Sequence, residues 1–217
     1  KKNKKNIICK MIILNFKNYK TGKEVLAFAK KISSKKIIAA APIINLQDIT
    51  KKTRLIPCAQ HVDDKTSSRD TGYVTPKALG AIGIQLTILN HSEHQIPLKQ
   101  IKETIRECKK NNIKVILCTK NLGELKKFKK LGPHAIAYEN PKFIASKTSI
   151  TNFPKPIISF VKSLEKTRII PLCGAGINSK EDVATAYKLG CKGILVSSWI
   201  MKSKNPTKFL KEIIKTK

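Results

Sequence analysis

Eight short apolar runs punctuate the chain, at 11–15, 37–42, 55–60, 84–90, 113–118, 135–139, 168–173 and 193–197. Each is rich in Ile, Val, Leu or Ala and is of strand length. Most are continuously apolar rather than alternating, the pattern of strands covered on both faces within a parallel sheet. Between them lie charged segments with helical spacing. In "KEVLAFAKKIS" Val25, Leu26, Ala29 and Ile32 share one face, as do Leu98, Ile101, Ile105 and Cys108 in "LKQIKETIRECKK". The segment "NSKEDVATAYKLG" opens with a cap at Asn178 or Ser179, carries Glu181 and Asp182 in its first turn and stops at Gly190.

Strand alternating with helix predicts a parallel sheet, and eight such units predict its closure into an α/β, (β/α)8 barrel. A flat doubly wound sheet is the structural rival, but no G-x-G-x-x-G follows the first strand. No linker or composition break interrupts the pattern, so residues 11–217 are expected to form a single domain. That length makes a lean barrel, and shortened helices are expected after strands two and three. Residues 1–10, "KKNKKNIICK", read as a basic extension, expected to be disordered. They have neither the apolar stretch nor the small-residue cleavage site of a secretion signal.

A net charge of +30 changes the picture only in part. Such an excess attracts phosphates in general, yet just four of the 44 basic residues are Arg, and 6% of the chain is aromatic. Base reading favours the bidentate guanidinium, and single strands need stacking platforms. The lysines are also spread over every helix. No specific nucleic-acid partner is expected, and a charge-driven polyanion binder remains only as an alternative. The six Cys stand singly, with no zinc spacing, mostly inside apolar runs such as "VILCT", as buried thiols of a reducing compartment do. No run reaches the ~18 apolar residues that would cross a membrane, and a cytoplasmic location is expected.

In a barrel of this kind the chemistry gathers where the strands end. The first run ends in "NFK" with Asn15 and Lys17, the third in "AQH", the fourth in "LNHSEH" with His91 and Glu93, and the sixth in "AYENP" with Glu139. The seventh ends in Gly174-Ala175-Gly176 and the eighth in Ser197-Ser198. Alone, "LNHSEH" is an ordinary polar strand exit, with Asn90 and Ser92 starting a turn. Together these ends bring one lysine, one histidine and two carboxylates onto one rim, beside a Gly-rich turn able to cradle a phosphate.

The motifs "NFKNY", "NHSEH", "AYENP" and "LCGAGI", in this order and spacing, resemble the triosephosphate isomerase family in its short archaeal form. The resemblance runs from Met11 to the carboxyl end and takes in "PCAQHVD" and "DTGYV". It implies the (β/α)8 TIM barrel and the interconversion of dihydroxyacetone phosphate and glyceraldehyde 3-phosphate, a step of glycolysis and gluconeogenesis. The proton moves between adjacent carbons through an enediolate, and no cofactor or metal is implied. By the same resemblance Glu139 is the base, His91 the electrophile that polarises the carbonyl, and Lys17 the cation that stabilises the enediolate. Asn15 is a neighbouring donor. Glu93 is either the family's partner carboxylate for Lys17 or a purely structural ion pair. His61, His94 and His134 are read as structural or surface histidines. Substrate phosphate is expected on Ile144, Ala145, Gly174, Ala175, Gly176, Ser197 and Ser198. Loop 63–74 resembles the finger that reaches a neighbouring subunit, with Thr71 near the partner's site, in a homotetramer or otherwise a dimer.

Two departures bear on activity. Where the family's lid ends Ile-Gly-Thr-Gly, this chain has Ile144-Ala145-Ser146-Lys147. At the eighth strand Trp199 follows Ser197-Ser198, either packed under the turn or crowding the phosphate seat. A diverged, slower barrel is therefore the alternative within the same family. A phosphate-sugar epimerase would need His and Asp metal ligands at its strand ends, which the sequence lacks.

Overall fold

The structure is a computed structural model that describes residues 10–66, 68–143 and 148–216. Eight parallel strands close into a barrel in chain order. They are β1 (Met11–Asn15), β2 (Ile38–Ala41), β3 (Ile56–Ala59), β4 (Leu86–Leu89), β5 (Lys114–Thr119), β6 (Ala135–Tyr138), β7 (Ile170–Cys173) and β8 (Gly193–Val196). Closure is made by β8 on β1, with Met11 opposite Gly193 and Leu14 opposite Val196. The expected basic extension falls, but for Lys10, outside the described residues, as do Ile144 and Ala145.

Alternation along each strand sorts its side chains between two cores. Ile13, Ile38, Ala40, Cys58, Ile88, Ile116, Cys118, Ala135, Ala137, Leu172 and Leu195 fill the barrel interior, small residues offsetting large ones as the enclosed space requires. Leu14, Ala39, Leu89, Leu117, Ile136 and Val196 face the helices. Both faces are apolar, which is why the runs lack alternation. The same parity carries over to the strand ends: Asn15 follows Ile13, and Glu139 follows Ala135 and Ala137, so both stand over the barrel mouth.

Among the described residues the outer layer comprises α1 (Lys23–Lys31), α2 (Ile43–Lys52), α3 (Pro76–Ala81), α4 (Leu98–Lys110), α5 (Leu122–Phe128), α6 (Pro154–Leu164), α7 (Lys180–Lys188), α8 (Ser198–Met201) and α9 (Pro206–Lys215). The economy is distributed differently from expectation. Helix α3 has only 6 residues, but α2 has 10 and buries Leu46 and Ile49. Helix α8 has only 4 residues and α5 has 7; the continuation of α5 tightens into a 3₁₀ turn closed by Gly132 at φ 60°. Two face assignments also shift. On α1 Phe28 takes the inward place given to Leu26, meeting Phe16 edge to face at 5.5 Å. On α4 the first residue, Leu98, overhangs the sheet and is 45% exposed, while Thr104 joins the buried face. Ser179 is the cap of α7, accepting the Asp182 N–H at 3.0 Å.

Candidate active site

The end of β1 is held by an unusual turn. Lys17 lies at φ 44°, in the left-handed region, which costs a residue with a Cβ about 1–2 kcal/mol. Its N–H donates to Asn15 Oδ1 at 3.0 Å. Across the barrel mouth the Gln60 amide donates to Asn15 Oδ1, the Lys17 carbonyl and the Ala40 carbonyl at 3.1–3.2 Å. Ser197 Oγ donates to the Asn15 carbonyl at 2.7 Å. These bonds over-determine the strained turn and fix the direction of the lysine stem. Its ammonium meets Glu93 Oε1 at 2.5 Å. With the Glu93 side chain 56% exposed, such a pair contributes at most about 1 kcal/mol; its value is to aim the cation. Sequence reading named Asn15, Lys17 and Glu93 but gave Gln60 no role, although a lone amide after the apolar "PCA" was the available signal.

At the end of β4, Asn90 is again left-handed, at φ 57°. Its amide donates to the Cys118 carbonyl at 3.1 Å and accepts the Ile96 N–H at 3.1 Å, stapling both ends of the 90–96 turn. Inside that turn the Glu93 N–H donates to His91 Nδ1 at 3.2 Å. Accepting that hydrogen needs the Nδ1 lone pair, which places the ring proton on Nε2. Nε2 lies 3.7 Å from Glu139 Oε1, too far for a hydrogen bond but across a gap that a substrate oxygen can enter.

Glu139 is buried, its backbone tied to the Thr119 carbonyl at 2.9 Å. Its Oε2 has no hydrogen-bond partner among the described residues. Leaving a buried carboxylate oxygen bare costs about 1–3 kcal/mol or more, so a position that tolerates it is a functional candidate. The Cys118 thiol beside it is held protonated: burial first, then the Glu139 charge and a hydrogen bond to that carboxylate, push it well above the usual thiol range. On the other side a Cβ on Gly174 would come within 2.7 Å of Glu139 Cγ. Gly174 therefore makes room for the carboxylate rather than lining the cavity.

A small cleft, partly open to solvent, lies in front of Glu139. Asn15, Lys17, His91, Ala175, Gly176, Ser197 and Ser198 line it together. Ala175 and Gly176 are consecutive left-handed residues, at φ 68° and 70°. Among the described residues, non-glycine positive φ therefore falls on Lys17, Asn90 and Ala175 at the rim and on Asn112 elsewhere. Trp199 packs under its turn against Phe209, ring centroids 5.3 Å apart, and leaves the seat clear.

Beside the cavity His61 and His94 stack at 3.9 Å, and His61 Nε2 approaches Asp63 at 3.4 Å. Burial first, then the charge His94 would carry, lowers the His61 pKa, outweighing Asp63. Burial and Lys114 lower that of His134. A histidine with a depressed folded-state pKa binds fewer protons folded than unfolded, so stability increases with pH through this window. It is complete above the unfolded value near 6.5 and is lost as pH falls through the folded one. Urea midpoints should therefore drop between about pH 7 and 5. The pair His61→Gln and His134→Gln should flatten that slope.

Among the described residues no group of three or more His, Cys, Asp or Glu is arranged to hold a metal ion, and no helix is long and apolar enough to cross a membrane. Comparison with known proteins finds the triosephosphate isomerase family model matching residues 10–217. The triosephosphate isomerase of Cenarchaeum symbiosum is 34% identical, over 94% of this chain and 96% of its own length. Those of Thermoplasma volcanium and Methanocaldococcus jannaschii are 33% and 31% identical, each over 94% of this chain and 99% of their own length. The carboxylate with its unpartnered oxygen, the oriented imidazole and the aimed lysine thus sit on a chain that belongs to the triosephosphate isomerase family.

Proposed function

We propose that this rim interconverts dihydroxyacetone phosphate and glyceraldehyde 3-phosphate as follows. The phosphate lies toward Ala175, Gly176 and Ser198, with Ile144 and Ala145 as further contacts, and the carbonyl and hydroxyl oxygens face His91 and Lys17. Glu139 removes the carbon-bound proton, leaving an enediolate. His91 Nε2–H polarises the carbonyl and relays protons between the two oxygens, while Lys17 stabilises the negative charge. Glu139 then returns a proton to the adjacent carbon. The observation that carries this reading is the unpartnered Oε2 of a buried Glu139 that lines the same cleft as Lys17 and His91. A coupled assay of glyceraldehyde 3-phosphate turnover tests it, and no turnover by folded protein would overturn it.

The working unit proposed is an oligomer, a tetramer or dimer, joined through loop 63–74 with Thr71 near the partner's site. Exposed apolar residues support it: Tyr73 in that loop is 51% exposed, and Ile44, at the start of α2, is 82% exposed. An open hollow beside Lys17, lined by Gln60, His61, Glu93 and His94, provides the place a finger could enter. With +30 on each chain, self-repulsion opposes assembly and added salt strengthens it. Ile44→Glu should shift sedimentation toward the monomer and lower turnover; an unchanged oligomer would place the interface elsewhere. The free buried thiols Cys58, Cys108, Cys118, Cys173 and Cys191 suit the reducing cytoplasm.

A further inference from the structure

The loop that seats the phosphate is tied to the rest of the rim through Asp182. Ser179 and Asp182 have the spacing of a capping box, in which the acidic side chain folds back onto the N–H of the cap residue. Here the carboxylate reaches past it. Oδ2 accepts the Asn178 N–H at 2.9 Å, and Oδ1 accepts the Thr151 hydroxyl at 2.8 Å. Thr151 lies outside α7, in a 3₁₀ turn (Ile150–Asn152) that leads into α6.

Thr151 has one hydroxyl hydrogen, and it goes to the carboxylate, which can only accept. The 2.8 Å contact between the Ser149 and Thr151 hydroxyls is therefore donated by Ser149. Ser149 Oγ in turn accepts the Thr151 N–H at 3.2 Å. The result is a directed chain from Thr151 N–H through two buried hydroxyls to Asp182. Its effect falls on Ala175 and Gly176. The Ala175 carbonyl accepts the Ile150 N–H at 3.4 Å. A Cβ on Gly176 would lie 2.5 Å from the Thr148 carbonyl and 3.1 Å from Ser149 Cα. Two left-handed residues are thus pressed against 148–150, and the Asp182 carboxylate clamps both segments.

We propose that Asp182 is a positioning residue for substrate phosphate, locking 148–152 and 174–178 into one unit so that the strained Ala175-Gly176 turn keeps its anion-binding shape. This rests on the assignment of the phosphate to that turn. Losing hydrogen bonds to a charged group there is expected to weaken phosphate affinity about tenfold. Asp182→Ala should raise both the KM for glyceraldehyde 3-phosphate and the inhibition constant of inorganic phosphate by that factor, with a smaller effect on kcat. Asp182→Asn keeps an acceptor for one of the two donors and should restore part of both. Thr151→Val, cutting only the link to 148–152, should fall between Asp182→Ala and the unaltered chain.

If the variants lose thermal stability while KM and phosphate inhibition stay unchanged, Asp182 is only a helix cap and the proposal fails. Should Asp182→Ala not fold, Asp182→Asn and Thr151→Val decide by the same readouts. Calorimetric titration of inorganic phosphate into the unaltered chain keeps the two questions apart. Phosphate binding without turnover would count against the isomerase mechanism, yet the variants could still be ranked by phosphate affinity.

Discussion

Replacing Glu139 by Gln should lower turnover about 10³-fold without lowering stability. The amide would keep the shape and burial of the side chain but could not take a proton from carbon. The native carboxylate is buried, and its Oε2 lacks a partner among the described residues. A neutral amide is cheaper to bury than a charged carboxylate, so the urea midpoint should hold or rise. That pairing is the signature of a residue kept for chemistry at a cost in stability. Inhibition by inorganic phosphate should be unchanged, because the proposed mechanism assigns Glu139 to the reacting carbons and not to the phosphate. A large loss of stability with turnover intact would show instead that the side chain is structural.

Lys17→Ala should cost about 10²- to 10³-fold in kcat/KM, with a different profile. Here the loss falls on charge developed in the reaction and also on ground-state attraction for an anionic substrate. Phosphate inhibition should therefore weaken together with turnover. Stability should move little, because the partner carboxylate of Glu93 is largely open to water. The left-handed turn persists in the variant, since Gln60 and Ser197 bind Asn15 and the backbone around it rather than the lysine side chain. Retained phosphate affinity would place Lys17 away from the anion.

What the sequence could convey depended on how local the cause was. The eight strands were legible because burial on both faces writes Ile, Val, Leu and Ala into consecutive positions, as at Ile38–Ala41. Parity then placed Asn15 and Glu139 at the mouth. Leu26 was given the inward place that Phe28 takes because both fit a helical stripe, and the edge contact with Phe16 selects between them. Gln60 went unassigned because its acceptors on Asn15 and Lys17 are 45 and 43 residues away. The left-handed Lys17 was equally hidden: no glycine marks it, and its strain is borne by tertiary hydrogen bonds. Asp182 looked like a first-turn acid, which it is. Its second bond, to Thr151, lies 31 residues back. Trp199 posed a choice that its contact with Phe209 resolves.

The central claim is that a proton leaves carbon for Glu139 and returns to the neighbouring carbon. Its most direct test is isomerisation of glyceraldehyde 3-phosphate in D₂O, followed by proton NMR. A carboxylate that carries the proton can exchange it with solvent while the enediolate waits. Part of the dihydroxyacetone phosphate should then carry deuterium on the carbon that gained hydrogen, and Glu139→Gln should lower both turnover and labelling about 10³-fold. Undiminished turnover by Glu139→Gln, with or without deuterium in the product, would show that another route carries the hydrogen, and would contradict the account.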